Sequence, residues 1–383
     1  MPHCPRIVAG FYNLVLDAMI NSRHSVAPDC LPSSRGSLAD AHIASALVSV
    51  ACVGFGTNLA IQFINLGMHA RGTSAALIGF STMMQALGIV LAAPLAPSLM
   101  RRIGIRHTIV AGAMLSAMAM LSFVHATDFI VVTLMRVLYA AGLALVFTCA
   151  EFLMLASAQR ETRGLSAGLY STVLGLGMAA GPLCISVFGT DSETSCYLGV
   201  AACLACVPAA ALAIPPSCPL YERRTSWRLS LLGLSPLALG AAFTFGFLDN
   251  GPVSLLGVYG MQRGWPAAHA AVLVSVVTIG AVLCQVPIGW AVDKYDSRLV
   301  FGAGGLLATL LLLTLPHVWF APVLVLMCAV ALGAIMEGLY TVGLADVGKR
   351  DDGTNLSGAN ACFVMVCGAG EVVGPLLTGL AIN

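Results

Sequence analysis

The chain has 383 residues, of which 58% are apolar and 9% charged, with a formal net charge of +1. Soluble domains carry roughly 45–50% apolar and about 25% charged residues, so this composition excludes an ordinary water-soluble globule. A net charge near zero offers no basic surface for nucleic acid, and long apolar runs without two-residue alternation exclude a β-barrel and predict spanning helices of about 20 residues in lipid.

Residues 1–40 differ from the rest. They carry Arg6, Arg23 and Arg35 around one apolar stretch, Ile7 to Ile20, that Asn13 and Asp17 interrupt. The stretch is too short and polar to span, and no small-residue cleavage site follows it cleanly. A disordered or surface-lying cytoplasmic extension is the expectation. Apolar runs between charged or turn-forming breaks then predict eleven spans: 43–67, 74–99, 108–125, 128–155, 165–189, 195–214, 231–260, 268–292, 299–316, 319–345 and 356–381.

Basic residues fall in alternate connections: Arg101, Arg102 and Arg106; Arg160 and Arg163; Arg223, Arg224 and Arg228; Lys294 and Arg298; Lys349 and Arg350. The opposite connections carry only Arg71 and Arg263. The positive-inside rule puts the first set and the N-terminus in the cytoplasm, in a multi-pass protein of the cell (inner) membrane. Most of the thirteen cysteines sit inside apolar runs, and the Cys203–Cys206 pair has no second pair or nearby histidine. They read as packing residues, with no metal or cofactor.

The chain repeats itself. Arg102-Ile-Gly104-Ile-Arg106 returns as Lys294-Tyr-Asp-Ser-Arg298, and Gly175-Leu-Gly177-Met-Ala-Ala-Gly181-Pro182 as Gly368-Ala-Gly-Glu-Val-Val-Gly374-Pro375, offsets of 192 and 193. Phe55-Gly56 with Arg71-Gly72 matches Phe245-Gly246 with Arg263-Gly264. Internal symmetry of this kind is a transporter trait. It divides the chain into a six-helix bundle over 41–214, a cytoplasmic linker over 215–230 and a second bundle over 231–383. The sixth span ends near Ile214, so its partner would end near residue 407, beyond Asn383, and the second half is expected to be one helix short.

Gly289-Trp-Ala-Val-Asp293-Lys294-Tyr-Asp296-Ser-Arg298 resembles the major facilitator superfamily signature G-x-x-x-D-[RK]-x-G-x-[RK], with Asp296 where Gly is usual. The equivalent loop keeps Arg102, Gly104 and Arg106 but has Pro97 and Arg101 where Gly and Asp are expected. Span 5 is similar to the antiporter-associated glycine motif, lacking its last Gly, and Arg136 stands in the place of that family's membrane arginine. Leu283 to Lys294, Glu151 and the Asn-Gly of span 7 resemble the YcaD-like branch. The resemblance covers 43–383 and implies an all-α fold of two pseudo-symmetric bundles, here six plus five helices, with spans 1, 4, 7 and 10 lining a cavity. Asp293 suits a cytoplasmic latch between bundles. In the first half Arg101 replaces the acid, so a weak or absent latch is expected there. Gly177, Gly181 and Pro182 allow close contact and a bend, which ordinary packing would also use.

Ionisable groups inside spans are costly and mark function. There are five: Arg136, Glu151, Asp249, Glu337 and Glu371. Asp249, Glu337 and Glu371 fall near mid-membrane at about 1.5 Å per residue. Asn58, Gln62 and Asn65 share one face of span 1, either as substrate contacts or as an interhelical seam. Asp249 and Asn250 precede Gly251-Pro252, Glu337 shares a face with Tyr340, and Arg136 with Tyr139. Asp249 and Glu337 are candidate transport acids, with pairing to Arg136 or a neutral structural role as the alternative. Glu151 reads as structural near the cytoplasmic interface, and Glu371, on a span that is peripheral in the family, as packing. Low dielectric favours the neutral form of a carboxyl, so the expected function is proton-coupled secondary transport of a small cationic or neutral solute. Efflux is favoured by the span 5 motif, in a chain that is monomeric by default. A truncated remnant or a sensor of the same fold is the alternative. No span carries the residues of an enzyme active site.

Overall fold

The computed structural model describes residues 37–157, 163–189, 193–214, 235–350 and 356–383. Residues 1–36, the linker expected over 215–230, and Arg160 lie outside the described residues. The helices are α1 (Ser37–Ala70), α2 (Ala75–Ala92), α3 (Ala96–Ile103), α4 (Ile105–Ser122), α5 (Phe129–Ser157), α6 (Arg163–Phe188) and α7 (Glu193–Ala213). The second half follows with α8 (Pro236–Leu248), α9 (Ser254–Gln262), α10 (Ala267–Lys294), α11 (Ser297–Thr314), α12 (Pro322–Arg350) and α13 (Leu356–Ala381). Nine of the described helices are long and apolar enough to cross a membrane. Together with α6 and the broken pair α8–α9, these described helices fall where the eleven apolar runs lie.

Two spans depart from the expected continuous helices. The second is interrupted by a 3-10 turn at Ala93–Leu95, where Pro94 removes a backbone donor, and α3 carries it on to Ile103. The seventh starts at Pro236 rather than 231, capped by Ser235, whose hydroxyl accepts from Ala238 N–H at 3.0 Å. It is then underwound as a π turn over Asp249–Val253. Pro252 cannot donate to the preceding turn, so the wider ring is where the backbone accommodates it. The first span also starts earlier than 43, at Ser37.

The turns that close the first and seventh passes are alike. Gly72 and Gly264 both take positive φ, 81° and 85°, a conformation that Gly adopts without steric cost. Gly104, at φ 84°, separates α3 from α4. Its repeat-mate Asp296 works differently: its carboxylate accepts from Arg298 N–H at 2.8 Å and caps α11. That is the physical reason the second loop does without the usual glycine.

α1 packs on α5, α6 and α7, α4 on α5 and α7, and α2 on α5. In the second half α8 packs on α12 and α13, α10 on α12, and α11 on α12. One apolar core is centred on the first half and reaches Leu255, Val258, Ala270 and Ala271, and another lies within the second half. Outward faces carry Met118, Ile130, Leu134, Leu212, Leu283, Leu299, Leu306 and Leu313, all well exposed and suited to lipid. The halves meet through α2–α13, α6–α10 and α1–α9.

The repeat extends to backbone contacts. A Cβ at Gly54 would lie 2.6 Å from Leu174 O; at Gly246, which these contacts pair with Gly54 rather than with the expected Gly56, a Cβ would meet Cys367 O. Gly177 and Gly181 press on the backbone of Ala51, Phe55 and Leu59, as Gly370 and Gly374 press on Phe243, Phe247 and Gly251. The glycines of the α6 motif thus hold α6 against α1, and their mates hold α13 against α8.

Candidate functional site

Two polar clusters occupy the interior. The first surrounds Arg136 on α5, whose side chain is 0% exposed. Its Nε donates to Gln85 Oε1, and its Nη1 donates to Asn65 Oδ1 at 2.9 Å and to Ser81 Oγ at 3.5 Å. Thr82 donates to the same Asn65 oxygen at 3.2 Å, and Thr133 to Ser81 Oγ at 3.2 Å. Nη2 is buried without a partner among the described residues. Every acceptor on this guanidinium is neutral, so the expected alternative of a buried pair between Arg136 and Asp249 or Glu337 is corrected. Tyr139, one turn along, is also buried, with its ring set edge-on to Phe123 at 6.4 Å.

Asn65 and Gln62 extend this cluster across the molecule. Both side-chain amides donate to the carbonyl of Ser254 on α9, each at 3.0 Å, and both are 0% exposed. Gln62 and Ser254 are 192 residues apart, the offset of the repeat, so the pseudo-two-fold axis passes between them. Beside this contact, α2 meets α13 where Gly79 lies against Pro375 and Gly379 against Ala75, and Ser275 on α10 donates to Ala179 O at 2.7 Å. All of these lie in the half of the bundle that ends in the Gly72 and Gly264 turns. The seam reading of Gln62 and Asn65 is therefore what the geometry contains. Asn58 faces a different way, donating to Met178 O on α6 at 3.0 Å.

The second cluster is acidic and lies mainly in the other half. Asp249 and Asn250 sit in the π turn, and Asn250 donates to Glu371 O on α13 at 2.9 Å. Glu371 comes within electrostatic reach of Asp249, and its Oε1 accepts from Cys367 Sγ at 3.6 Å. Glu371 is not peripheral, as its span suggested, because α13 is wedged between α8 and α2. Asp249, Glu337 and Glu371 are half-buried, and Glu151 is buried on α5. Tyr340 lies within electrostatic reach of Glu151, Glu337 and Glu371, and so joins acids from both halves. Its ring is packed edge-on against Phe245 at 4.7 Å and Phe363 at 5.3 Å, and α12's Thr341 donates to Glu337 O at 2.9 Å.

The loop residues stand apart from both clusters. Arg102, Lys294 and Arg298 are exposed, Arg106 is half-buried, and Lys294 sits 5.6 Å over the Tyr295 ring. The surroundings of Gly289 and the side chain of Asp293, and so the expected latch, lie outside what is described. In the first half Arg101 donates to Ser98 Oγ at 3.0 Å. Pro182 lies inside α6 one residue beyond Gly181.

Sequence reasoning missed Ser81, Thr82, Gln85, Thr133, Ser254 and Cys367. For Ser254 a signal existed, since it is the repeat-mate of Gln62. No group of three or more His, Cys, Asp or Glu side chains able to hold a metal occurs among the described residues.

Two halves related by a two-fold repeat, joined near one end by polar and glycine contacts and carrying carboxyls at mid-pass, have counterparts among known proteins. The nucleoside transporter NupG superposes with a TM-score of 0.72 at 13% identity, over 90% of this chain and 91% of that one. A bacterial homolog of the human lysosomal transporter Spinster gives 0.68 at 19% identity over 91% and 83%, and a D-xylose-proton symporter 0.66 at 15% over 89% and 90%. The sequence is 24% identical over 262 residues to the uncharacterized MFS-type transporter YfkF of Bacillus subtilis (strain 168), a match spanning 66% of each chain. The family model of the Major Facilitator Superfamily matches residues 46–375. That match takes in both halves, the Arg136 cluster and the acids, and the chain belongs to the Major Facilitator Superfamily.

Proposed function

We propose that this multi-pass membrane protein is a proton-coupled secondary transporter of a small cationic or neutral solute, working in efflux across the cell (inner) membrane. Family membership and transporter neighbours support the secondary transport. The finer reading rests on one observation: Asp249, Glu337 and Glu371 are half-buried at mid-pass, Asp249 lies within electrostatic reach of Glu371, and Tyr340 lies within reach of Glu337, Glu371 and, across the halves, Glu151. Carboxyls inside a membrane typically serve as proton relays or as counter-ions to a ligand. Asp249 and Glu337 take the first role, with Asn250 and Tyr340 shaping the site.

The Gln62, Asn65 and Ser254 contact then acts as the seal on the outer side. With the N-terminus cytoplasmic, as the loop arginines suggest, the closed end faces outward and the cleft inward. A Spinster homolog of similar fold is described as inward-facing, which fits this assignment. Binding and release alternate as the two bundles rock about the axis between Gln62 and Ser254.

Proteoliposomes test the reading directly. A pH gradient should drive solute movement by the wild-type protein, and Asp249→Asn with Glu337→Gln should abolish the gradient dependence. Undiminished gradient-driven movement in the double variant would overturn the assignment of those acids. Solute binding with no movement in wild type would point to a sensor of the same fold.

A further inference from the structure

We infer that the Arg136 cluster is a binding site for a small monovalent anion of the size of chloride, distinct from the acidic cleft. The inference does not involve the acids and holds whether or not Asp249 and Glu337 carry protons.

Arg136 is completely buried, yet its partners Gln85, Asn65 and Ser81 bring three neutral oxygens and no charge. Nη2 belongs to both forked edges through which a guanidinium grips anions. On each edge the companion nitrogen is occupied, Nε by Gln85 and Nη1 by Asn65 and Ser81, while Nη2 is buried without an acceptor among the described residues. The nearby orphan oxygen, Gln62 Oε1, is turned to α9, where a Cβ on Gly257 would lie 2.7 Å from it. Glu151, the acid on the same helix, is fifteen residues away, about 22 Å at 1.5 Å per residue.

The repeat sharpens the argument. At the offsets of 192 for α2 and 193 for α5, Ser81, Thr82, Gln85 and Arg136 correspond to Leu273, Val274, Val277 and Ala329. All four belong to the apolar core of the second half. The fold therefore closes at this place without any polar group. A lone buried charge is expensive unless it is paired, and packing does not require one here. A small anion on the Nη2 edge supplies the missing charge. It also ties anion occupancy to the seal, because Asn65 bonds both Arg136 and Ser254.

The test uses the purified full chain in detergent at constant ionic strength, replacing gluconate, a bulky organic anion, with chloride or nitrate. Wild type should show a saturable rise in thermal midpoint of several degrees with chloride. Arg136→Gln should lose that response. Gln85→Glu places a carboxylate on the same Nε–H, so it should be more stable than wild type in gluconate and indifferent to chloride. Gln85→Glu keeps the test informative where Arg136→Gln fails to fold. A wild-type midpoint insensitive to anion identity would overturn the proposal, as that of a merely hydrated guanidinium. So would a chloride response surviving unchanged in Gln85→Glu.

Discussion

Asn58 and Asn250 make the same hydrogen bond twice. Asn58 donates from α1 to Met178 O on α6 at 3.0 Å, and Asn250 donates from the π turn to Glu371 O on α13 at 2.9 Å. The donors are 192 residues apart and the acceptors 193. The halves have kept the packing of their paired helices and diverged in charge. The carboxyls of Asp249, Glu337 and Glu371 fall in one half, where the other has Thr57, Ala144 and Met178. The buried arginine falls in the other.

This pairing separates structure from function by comparison within one molecule. Removing either amide, as Asn58→Ala or Asn250→Ala, should cost about 0.5–1.5 kcal/mol, the net value of one such bond. Similar losses in thermal midpoint are expected for the two. Only Asn250→Ala should also alter the pH dependence of transport, because its acceptor is the backbone of a residue that carries an acid. Equal pH profiles for the two variants would remove Asn250 from the proposed site.

Glycines on the two kinds of interface should behave differently. Gly370 lies against Phe243 and Phe247 within one half, so Gly370→Val forces α13 from α8. Overpacking of this kind costs about 1–3 kcal/mol, and lower folded yield and midpoint are expected. Gly379 lies against Ala75 and Gly79 across the halves. Gly379→Val should leave each half folded and hold that end apart. Thiol labelling of a cysteine placed at Gln62 should be faster with Gly379→Val than without it.

Much of the fold was legible because lipid simplifies the code. Span length, alternate basic loops and the Gly-Pro and Arg-Gly repeats each report one dominant constraint, and they agree. The site was legible only in part. Arg136 announced itself as a charge in an apolar run, but Ser81, Thr82 and Gln85 are small or neutral residues that many membrane helices tolerate. Only the approach of α2 to α5 turns them into ligands of a guanidinium. Glu371 was visible as a charge in a glycine-rich span, but its place between the helices was not. The wedge of α13 between α8 and α2 depends on glycine contacts that a linear pattern does not reveal. The π turn was equally hidden: Gly251-Pro252 marks a break but not its geometry.

The seal makes its own prediction. Asn65→Ala removes the bond to Ser254 O and one acceptor of Arg136 together. Leaving a buried charged donor short of a partner costs about 1–3 kcal/mol or more. Asn65→Ala should therefore lower the thermal midpoint more than Gln62→Ala, which breaks one bond only. Both should raise the accessibility of the closed end in labelling experiments. Equal midpoints for the two variants would argue that Asn65 carries no share of the arginine.

Tyr340 distinguishes packing from chemistry at the centre of the cleft. Its ring is set between Phe245 and Phe363, a contact that Tyr340→Phe retains and Tyr340→Ala destroys. Truncation of a buried aromatic costs about 3–5 kcal/mol, so Tyr340→Ala should fold poorly. Tyr340→Phe removes only the hydroxyl, which lies within electrostatic reach of Glu151, Glu337 and Glu371. A wild-type midpoint with gradient-driven transport reduced about tenfold, roughly 1.4 kcal/mol in barrier terms, is the expected outcome. Solute exchange without a gradient should persist, because the walls of the cleft are unchanged. If Tyr340→Phe transports as wild type does under a gradient, the tyrosine is a packing residue. The coupling would then lie with the carboxyls alone.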